Sequence, residues 1–378
     1  MQPFLRFGVA LLAVTFLAGM PARAEPDLRD QAFKRLAGQM LVVGFQGTSA
    51  KSPGFRSLLT DLERGVVGGV LFLYQNISSR VELETMVRQV RQCACERVPF
   101  IAIDEEGGTV ERLSPAFRFK RVVTALEISR MTDDDARRQF GTLADKLASV
   151  GFNLNFAPVV DLNVNPANPV IGVNWRSYSA DAAKVEKLAR MFVEEHRKRG
   201  ILTSLKHFPG HGSSLGDTHL APAELKKTWT RAELDPYRGL IGNGGVDTIM
   251  VGHLSNAAEW GGVATQAGAT AISKLLRADL AYDGVVISDD LTMHAVLNGK
   301  RTLGDVALSS VNAGVDIVLI AHSAGSAEGA GRIVNAALVD AMKDGRIDIA
   351  AVREANRRVL ALKEKLHDLA RQAEYGDR

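Results

Sequence analysis

Eight short apolar runs recur along this chain, separated by longer amphipathic stretches, and that alternation limits what it can fold into. The runs are Gln39–Phe45, Val66–Leu73, Phe100–Asp104, Leu154–Val160, Thr203–His207, Asp247–Gly252, Gly284–Ser288 and Asp316–Ala321. Most are continuously apolar rather than alternating, as parallel strands buried on both faces are. Between them, helical periodicity predicts Arg80–Arg91, Asp133–Ser149, Ala180–Arg199 and Ser273–Leu280 as helices, with Glu328–Lys343 and Ile349–Arg371 closing the chain. Eight strands with intervening helices predict an α/β fold, a single-domain (β/α)8 TIM barrel. A doubly wound open sheet competes, but it would place a glycine-rich phosphate turn after an early strand. Here the G-V-V-G-G-V cluster at 65–70 lies within the strand run itself.

The first 24 residues form a separate unit. Arg6 precedes an apolar run from Phe7 to Met20, and Ala22-Arg23-Ala24 has the small-x-small pattern of a signal peptidase site. The expectation is a secretory leader over 1–24, cleaved after Ala24, and a barrel domain over 25–378 that is periplasmic or secreted. The apolar run is short for a membrane span, so no stable span is expected after cleavage. Hydrophobic content of 46% and charged content of 24% are those of a soluble globular protein. Net charge is only +3 with no long Lys/Arg run, which argues against nucleic acid as a partner. The two cysteines, Cys93 and Cys95, read as partly buried thiols near a helix end, because a mutual bridge would close a very short loop.

A barrel of this kind carries its active site at the C-terminal ends of its strands. Those ends are polar in six successive runs: Asp104, Asp161, Lys206 with His207, His253, Asp289 with Asp290, and His322. Together they describe one ionisable mouth.

The richest segment there is Lys206–His219, K-H-F-P-G-H-G-S-S-L-G-D-T-H, which Pro209 and three glycines keep from forming a regular helix. The i, i+2 spacing of Asp217 and His219 lets the carboxylate orient the imidazole, a pair able to give and take a proton; a solvated loop histidine is the plainer reading. His207 and His211 are four apart, as zinc ligands on a helix are, but Pro209 and Gly210 break the helix this geometry needs, so no metal is expected. In Ser288-Asp-Asp-Leu-Thr-Met293, adjacent aspartates on extended chain point oppositely. Asp289 is the choice for a nucleophile or electrostatic stabiliser, and Asp290 for a cap or loop contact. In Asp104-Glu-Glu-Gly-Gly-Thr-Val-Glu-Arg112, Asp104 and Arg112 suit vicinal sugar hydroxyls, although an acidic loop also suits a cation. Asn174-Trp-Arg-Ser-Tyr178 adds a guanidinium and two aromatic rings, for sugar recognition or for packing.

Taken together, K-H-F-P-G-H-G-x4-D-T-H at 206–219, S-D-D-L-T-M at 288–293, D-E-E-G-G-x-V-x-R at 104–112 and R-S-Y at 176–178 resemble the β-N-acetylglucosaminidases of glycoside hydrolase family 3. The resemblance implies a retaining exo-glycosidase on a (β/α)8 barrel, acting on terminal N-acetylglucosamine of peptidoglycan or chitin fragments without metal or organic cofactor. It implies Asp289 as nucleophile and His219, oriented by Asp217, as general acid and base. Asp104, Arg112, Arg176, Lys206, His207 and His253 would hold the sugar. Thr109, where the subgroup commonly has arginine, and Asn174-Trp175 before Arg176 depart from its pattern on the aglycone side. The alternatives are a family 3 β-glucosidase-type hydrolase, a non-catalytic sugar-binding barrel using Asp104 and Arg112, and a metal-dependent hydrolase using His207, His211 and Asp217. The residues leave the oligomeric state open.

Overall fold

A computed structural model of the chain describes residues 24–376 except 219, 222, 266–268, 298–300 and 322–328. The expected leader therefore lies outside the described residues up to position 23, as do His219 and His322. Among the described residues no helix is long and apolar enough to cross a membrane.

All eight predicted runs contain a strand: β1 Leu41–Val43, β2 Gly69–Phe72, β3 Phe100–Ile103, β4 Leu154–Asn155, β5 Leu202–Phe208, β6 Thr248–Val251, β7 Val285–Asp290 and β8 Ile317–Ile320. Each pairs in parallel with its neighbours in chain order, and β1 closes on β8 through Leu41↔Val318, Val42↔Leu319 and Val43↔Ile320. The continuous apolar character of the runs has a direct cause. In β8, Ile317 and Leu319 point into the barrel with Val42, Leu71, Phe100 and Ile287, while Val318 and Ile320 point out to the helices with Val43, Val70 and Val251. Both faces are dry, so both alternating sets must be apolar, and each fully buried side chain contributes about 1.5–3 kcal/mol.

Strand β4 is shorter than the expected Leu154–Val160. Pro158 has no N–H to donate, so the ladder stops after Asn155 and resumes only as a bridge between Val159 and Lys206. A small sheet of Ala223–Glu224, Leu254–Asn256 and Gly262–Val263, not foreseen from the sequence, links the loops after β5 and β6. Two of the long helices begin at side-chain caps that the sequence provides. Ser79 Oγ accepts the Glu82 N–H before Arg80–Arg91, and Thr132 Oγ1 accepts the Asp135 N–H before Asp133–Val150. The cysteine expectation is corrected: Cys93 and Cys95 form a disulfide. Helix Arg80–Arg91 ends just before them, and the turn that follows brings their Cα atoms to 5.2 Å, within bridging range.

The long C-terminal helix Ile349–Gly376 stops the barrel floor with Val359, Leu362 and Leu366. Lys363 is buried there, and among the described residues no carboxylate pairs with it. Its Nζ donates to Gln39 Oε1 at 2.7 Å and Gly68 O at 3.2 Å and lies 4.9 Å from the Phe100 ring centroid. Burial, reinforced by the positive Arg97, pushes the ammonium down to about 7. A lysine whose folded pKa lies below its unfolded value binds fewer protons when folded, so its burial penalty is full below about pH 7 and fades as pH rises toward the unfolded value. The stability of Lys363→Met relative to wild type is expected to decline by up to about 1.4 kcal/mol per pH unit across that window. Urea unfolding at pH 7, 8 and 9 measures this, and a pH-independent difference would contradict it.

Candidate active site

The strand ends open into a cavity of about 370 Å³. Seven of the residues given catalytic or sugar-holding roles line it: Asp104, Arg112, Arg176, Lys206, His207, Asp217 and Asp289. They come from the ends of β3, β5 and β7 and from the loops after β3, β4 and β5.

The acidic run after β3 is divided by direction. Glu105 turns into the scaffold, where its carboxylate accepts the N–H groups of Arg112 at 2.7 Å and Leu113 at 3.0 Å and pairs with Lys146 at 2.8 Å. Asp104 and Glu106 face the cavity. Arg176 grips Glu106 with two parallel bonds, Nε to Oε2 at 2.9 Å and Nη2 to Oε1 at 2.8 Å. Lys206 Nζ lies 2.8 Å from Asp104 Oδ1 and 2.7 Å from Glu106 Oε1. Burial alone would raise the Glu106 carboxyl, but Arg176 and Lys206 hold it well below the usual carboxylate range. Burial likewise opposes the Lys206 charge, and Asp104 and Glu106 overcome it, so the ammonium persists above its ordinary pKa. The result is a dry, fixed lattice of two carboxylates and two cations with hydrogen-bonding edges turned to the cavity. That is a surface for hydroxyl and amide groups.

Beneath His207 lies Asp161, completely enclosed. Its Oδ2 accepts from His207 Nδ1 at 2.7 Å, and its Oδ1 accepts the His211 N–H at 2.8 Å. Burial would raise Asp161, yet His207 and the bonds from His211 keep it below its ordinary value. Occupation of Nδ1 leaves Nε2 of His207 as the nitrogen free to meet a ligand. His211 stands edge-on to His207 at 5.7 Å, and burial together with His207 pushes it down to about 4, which keeps it neutral. This geometry makes His211 part of the loop frame.

Asp289 accepts the Asp290 N–H on Oδ1 at 2.8 Å. Its burial would favour the acid form, but His253, His207, the Asp290 amide and Lys206 together lower its pKa, so it is a carboxylate at neutral pH. The Asp290 side chain is committed elsewhere, to the Thr292 N–H at 2.9 Å, the Thr292 hydroxyl at 2.6 Å and the Ala321 N–H at 2.9 Å. The two aspartates thus take the different environments expected of adjacent residues on extended chain.

One sequence expectation is corrected. His253 does not line the cavity: it is 0% exposed, with Nδ1 bonded to Thr265 Oγ1 at 2.8 Å and Nε2 to the Asp290 carbonyl at 2.9 Å. With both ring nitrogens occupied, it supports the end of β7 rather than touching a sugar. Tyr178 is buried edge-on against Phe140, so of the two aromatic rings only Trp175, 53% exposed, faces solvent. Conversely, sequence reasoning gave no role to Glu106 or Glu233, and Asp161, counted among the strand ends of the mouth, lies enclosed beneath His207. Glu106 carried a usable signal, since it stands two residues from Asp104. Glu233, which bonds the Gly212 N–H at 3.0 Å, carried none.

With this geometry in hand, comparison with known proteins defines the class. Residues 36–362 match the model described as the glycosyl hydrolase family 3 N terminal domain, and the chain belongs to that family. It is 34% identical over 268 residues to a beta-hexosaminidase of Tolumonas auensis, covering 69% of this chain and 78% of that one. It is 29% identical over 368 residues to beta-hexosaminidase A of Pseudoalteromonas piscicida, covering 88% of this chain but 61% of the relative's length. Among solved structures, the family 3 beta-N-acetylglucosaminidase of Paenibacillus sp. FPU-7 superposes with a TM-score of 0.79 at 32% identity, covering 88% of this chain and 62% of that one. The beta-N-acetylhexosaminidase of Beutenbergia cavernae gives 0.76 at 27% identity, covering 88% and 98%. The chain therefore spans less than two thirds of some of these relatives and nearly all of others.

Proposed function

We propose that the protein is a retaining, exo-acting β-N-acetylhexosaminidase that removes terminal β-linked N-acetylglucosamine. The observation that carries this reading is the ionised Asp289 carboxylate held in the same cavity as the Asp104–Lys206–Glu106–Arg176 lattice. The names of the relatives support the substrate class.

In the first step, a carboxylate oxygen of Asp289 attacks the anomeric carbon as the bond to the glycosidic oxygen breaks. His219 gives its proton to the departing oxygen, so the leaving group exits as a neutral alcohol. In the second, His219 takes a proton from water, the hydroxide oxygen attacks the same carbon, and the Asp289 carboxylate is released. Two inversions return the β configuration. A histidine in the acid–base role differs from the usual pair of carboxylates in retaining enzymes. Asp217 orients the imidazole, and Asp104, Arg112, Arg176, Lys206 and His207 hold the sugar. The reaction so written needs no metal or organic cofactor. With residues 1–24 as an export leader, the substrates are peptidoglycan or chitin fragments outside the inner membrane.

The purified mature protein is expected to release nitrophenol from the β-N-acetylglucosaminide far faster than from the β-glucoside. Hydrolysis of the glucoside alone would overturn the substrate assignment, and an α-configured first product seen by NMR would overturn retention. Parallel digestion of muropeptides and chitooligosaccharides identifies the natural aglycone.

A further inference from the structure

Three successive backbone amides at the root of the Lys206–His219 segment donate to buried carboxylates. The His211 N–H goes to Asp161 Oδ1 at 2.8 Å, while Gly212 and Ser213 go to Glu233 Oε2 at 3.0 Å and 3.4 Å. Glu233 sits in the turn Arg231–Leu234 and is 2% exposed. It packs so closely on Gly210 that an added Cβ there would come within 2.6 Å of the Glu233 Cβ. Nearby, the Trp229 indole N–H donates to the Pro209 carbonyl at 3.1 Å. Across the loop, Gly212 has no room for a side chain, since a Cβ would lie 1.7 Å from Leu162 O. The chain at 210–213 is therefore clamped between two walls. Four residues beyond Ser213 it delivers Asp217 to the cavity.

We propose that Glu233 is a positioning residue for the acid–base loop, gripping Gly212 and Ser213 so that the chain is aimed toward Asp217 and His219. The proposal rests on the acid–base role given to that loop above. A buried carboxylate titrates where an amide side chain does not, so the grip carries a sensitivity to protonation that a neutral acceptor would lack. Burial, joined by the neighbouring Asp161 charge, pushes the Glu233 carboxyl up to about 7. The ionisable groups around it are Asp161 and His211 on the far side of the clamp and Tyr237 on the helix Asp235–Gly242. His211 is neutral, pushed down to about 4, and Tyr237 is held neutral by burial. As pH falls through about 7 the carboxylate becomes an acid, a weaker acceptor for two amides, and the grip loosens. Asp289 titrates well below this region, because its pKa is lowered, so the two acid limbs separate.

The test compares Glu233→Ala and Glu233→Gln with wild type on an alkyl β-N-acetylglucosaminide and on the nitrophenyl glycoside. Misplaced acid catalysis harms poor leaving groups most. Glu233→Ala is therefore expected to lose about 10–100-fold in kcat on the alkyl substrate, part of what general acid catalysis contributes, with a smaller loss on the nitrophenyl substrate and little change in KM. Glu233→Gln, whose carbonyl accepts the same amides without titrating, should restore most of kcat and abolish the acid limb near pH 7. Equal losses on both substrates, or an unchanged acid limb in Glu233→Gln, would overturn the proposal. Amide hydrogen exchange gives a readout independent of turnover. Protection at Gly212 and Ser213 should fall in Glu233→Ala and persist in Glu233→Gln, and unchanged protection in Glu233→Ala would also overturn it. If wild type leaves the N-acetylglucosaminide intact, the substrate reading fails, and exchange still decides the grip.

Discussion

Asp289→Ala is expected to lower turnover of the β-N-acetylglucosaminide by about 10⁴-fold or more, the scale seen when a covalent nucleophile is removed. The size follows from the environment. Asp289 is a carboxylate kept ionised in a buried place by His253, His207, the Asp290 amide and Lys206. Its neighbour does not duplicate it, since the Asp290 oxygens are held by Thr292 and Ala321. The same substitution opens space beside the anomeric carbon, so added azide is expected to restore part of the rate by attacking from that face and yielding the α-glycosyl azide. The acid limb that belongs to Asp289 should lie below the ordinary aspartate pKa, apart from the limb near pH 7 assigned to Glu233, because the depressed group stays charged until lower pH. Retention of more than a few per cent of wild-type kcat in Asp289→Ala would remove it from the nucleophile role.

The second large effect concerns His219. Its replacement by alanine should cost on the order of 10²–10⁴ in kcat on an alkyl glycoside. A dinitrophenyl substrate leaves without a proton, so its glycosylation step should be nearly unaffected and its deglycosylation step should become limiting. A burst of phenol followed by a slow steady state is the expected signature. Equal rates of wild type and His219→Ala on the alkyl substrate would assign the proton transfer elsewhere. His207 is a weak substitute, because its Nδ1 is tied to Asp161 and it belongs to the cavity wall.

The barrel is readable from sequence because its strands are dry on both faces, which forces continuous apolar runs that no amphipathic helix imitates. Boundaries are less readable where backbone pairing rather than burial sets them, as at β4, where Pro158 interrupts a run that stays apolar to Val160. The cysteine pair shows a different limit. Local spacing argued against a bridge, but the path of the chain beyond Arg91 brought the two Cα atoms within reach.

In the D-E-E run, nothing local separates Glu105 from Glu106. The chain beyond Ile103 sends them to opposite sides, and their electrostatics follow from what meets them there. Glu105 finds Lys146 and two amides, while Glu106 finds Lys206 and an arginine 70 residues away. His253 ends a strand as the other mouth residues do, yet a hydroxyl from Thr265 and a carbonyl from β7 take up its ring.

The Lys206–His219 segment, Asp289 and the eightfold alternation announce the fold and the family from local pattern, because strand periodicity and loop motifs are short-range features of a chain. Which carboxylate is ionised, which histidine is a frame and which lines the cavity, and that Glu233 bonds the loop from 21 residues away, depend on the folded arrangement. Charge interactions in a dry site act through space across a few ångströms, and those neighbours are assembled from loops distant in sequence.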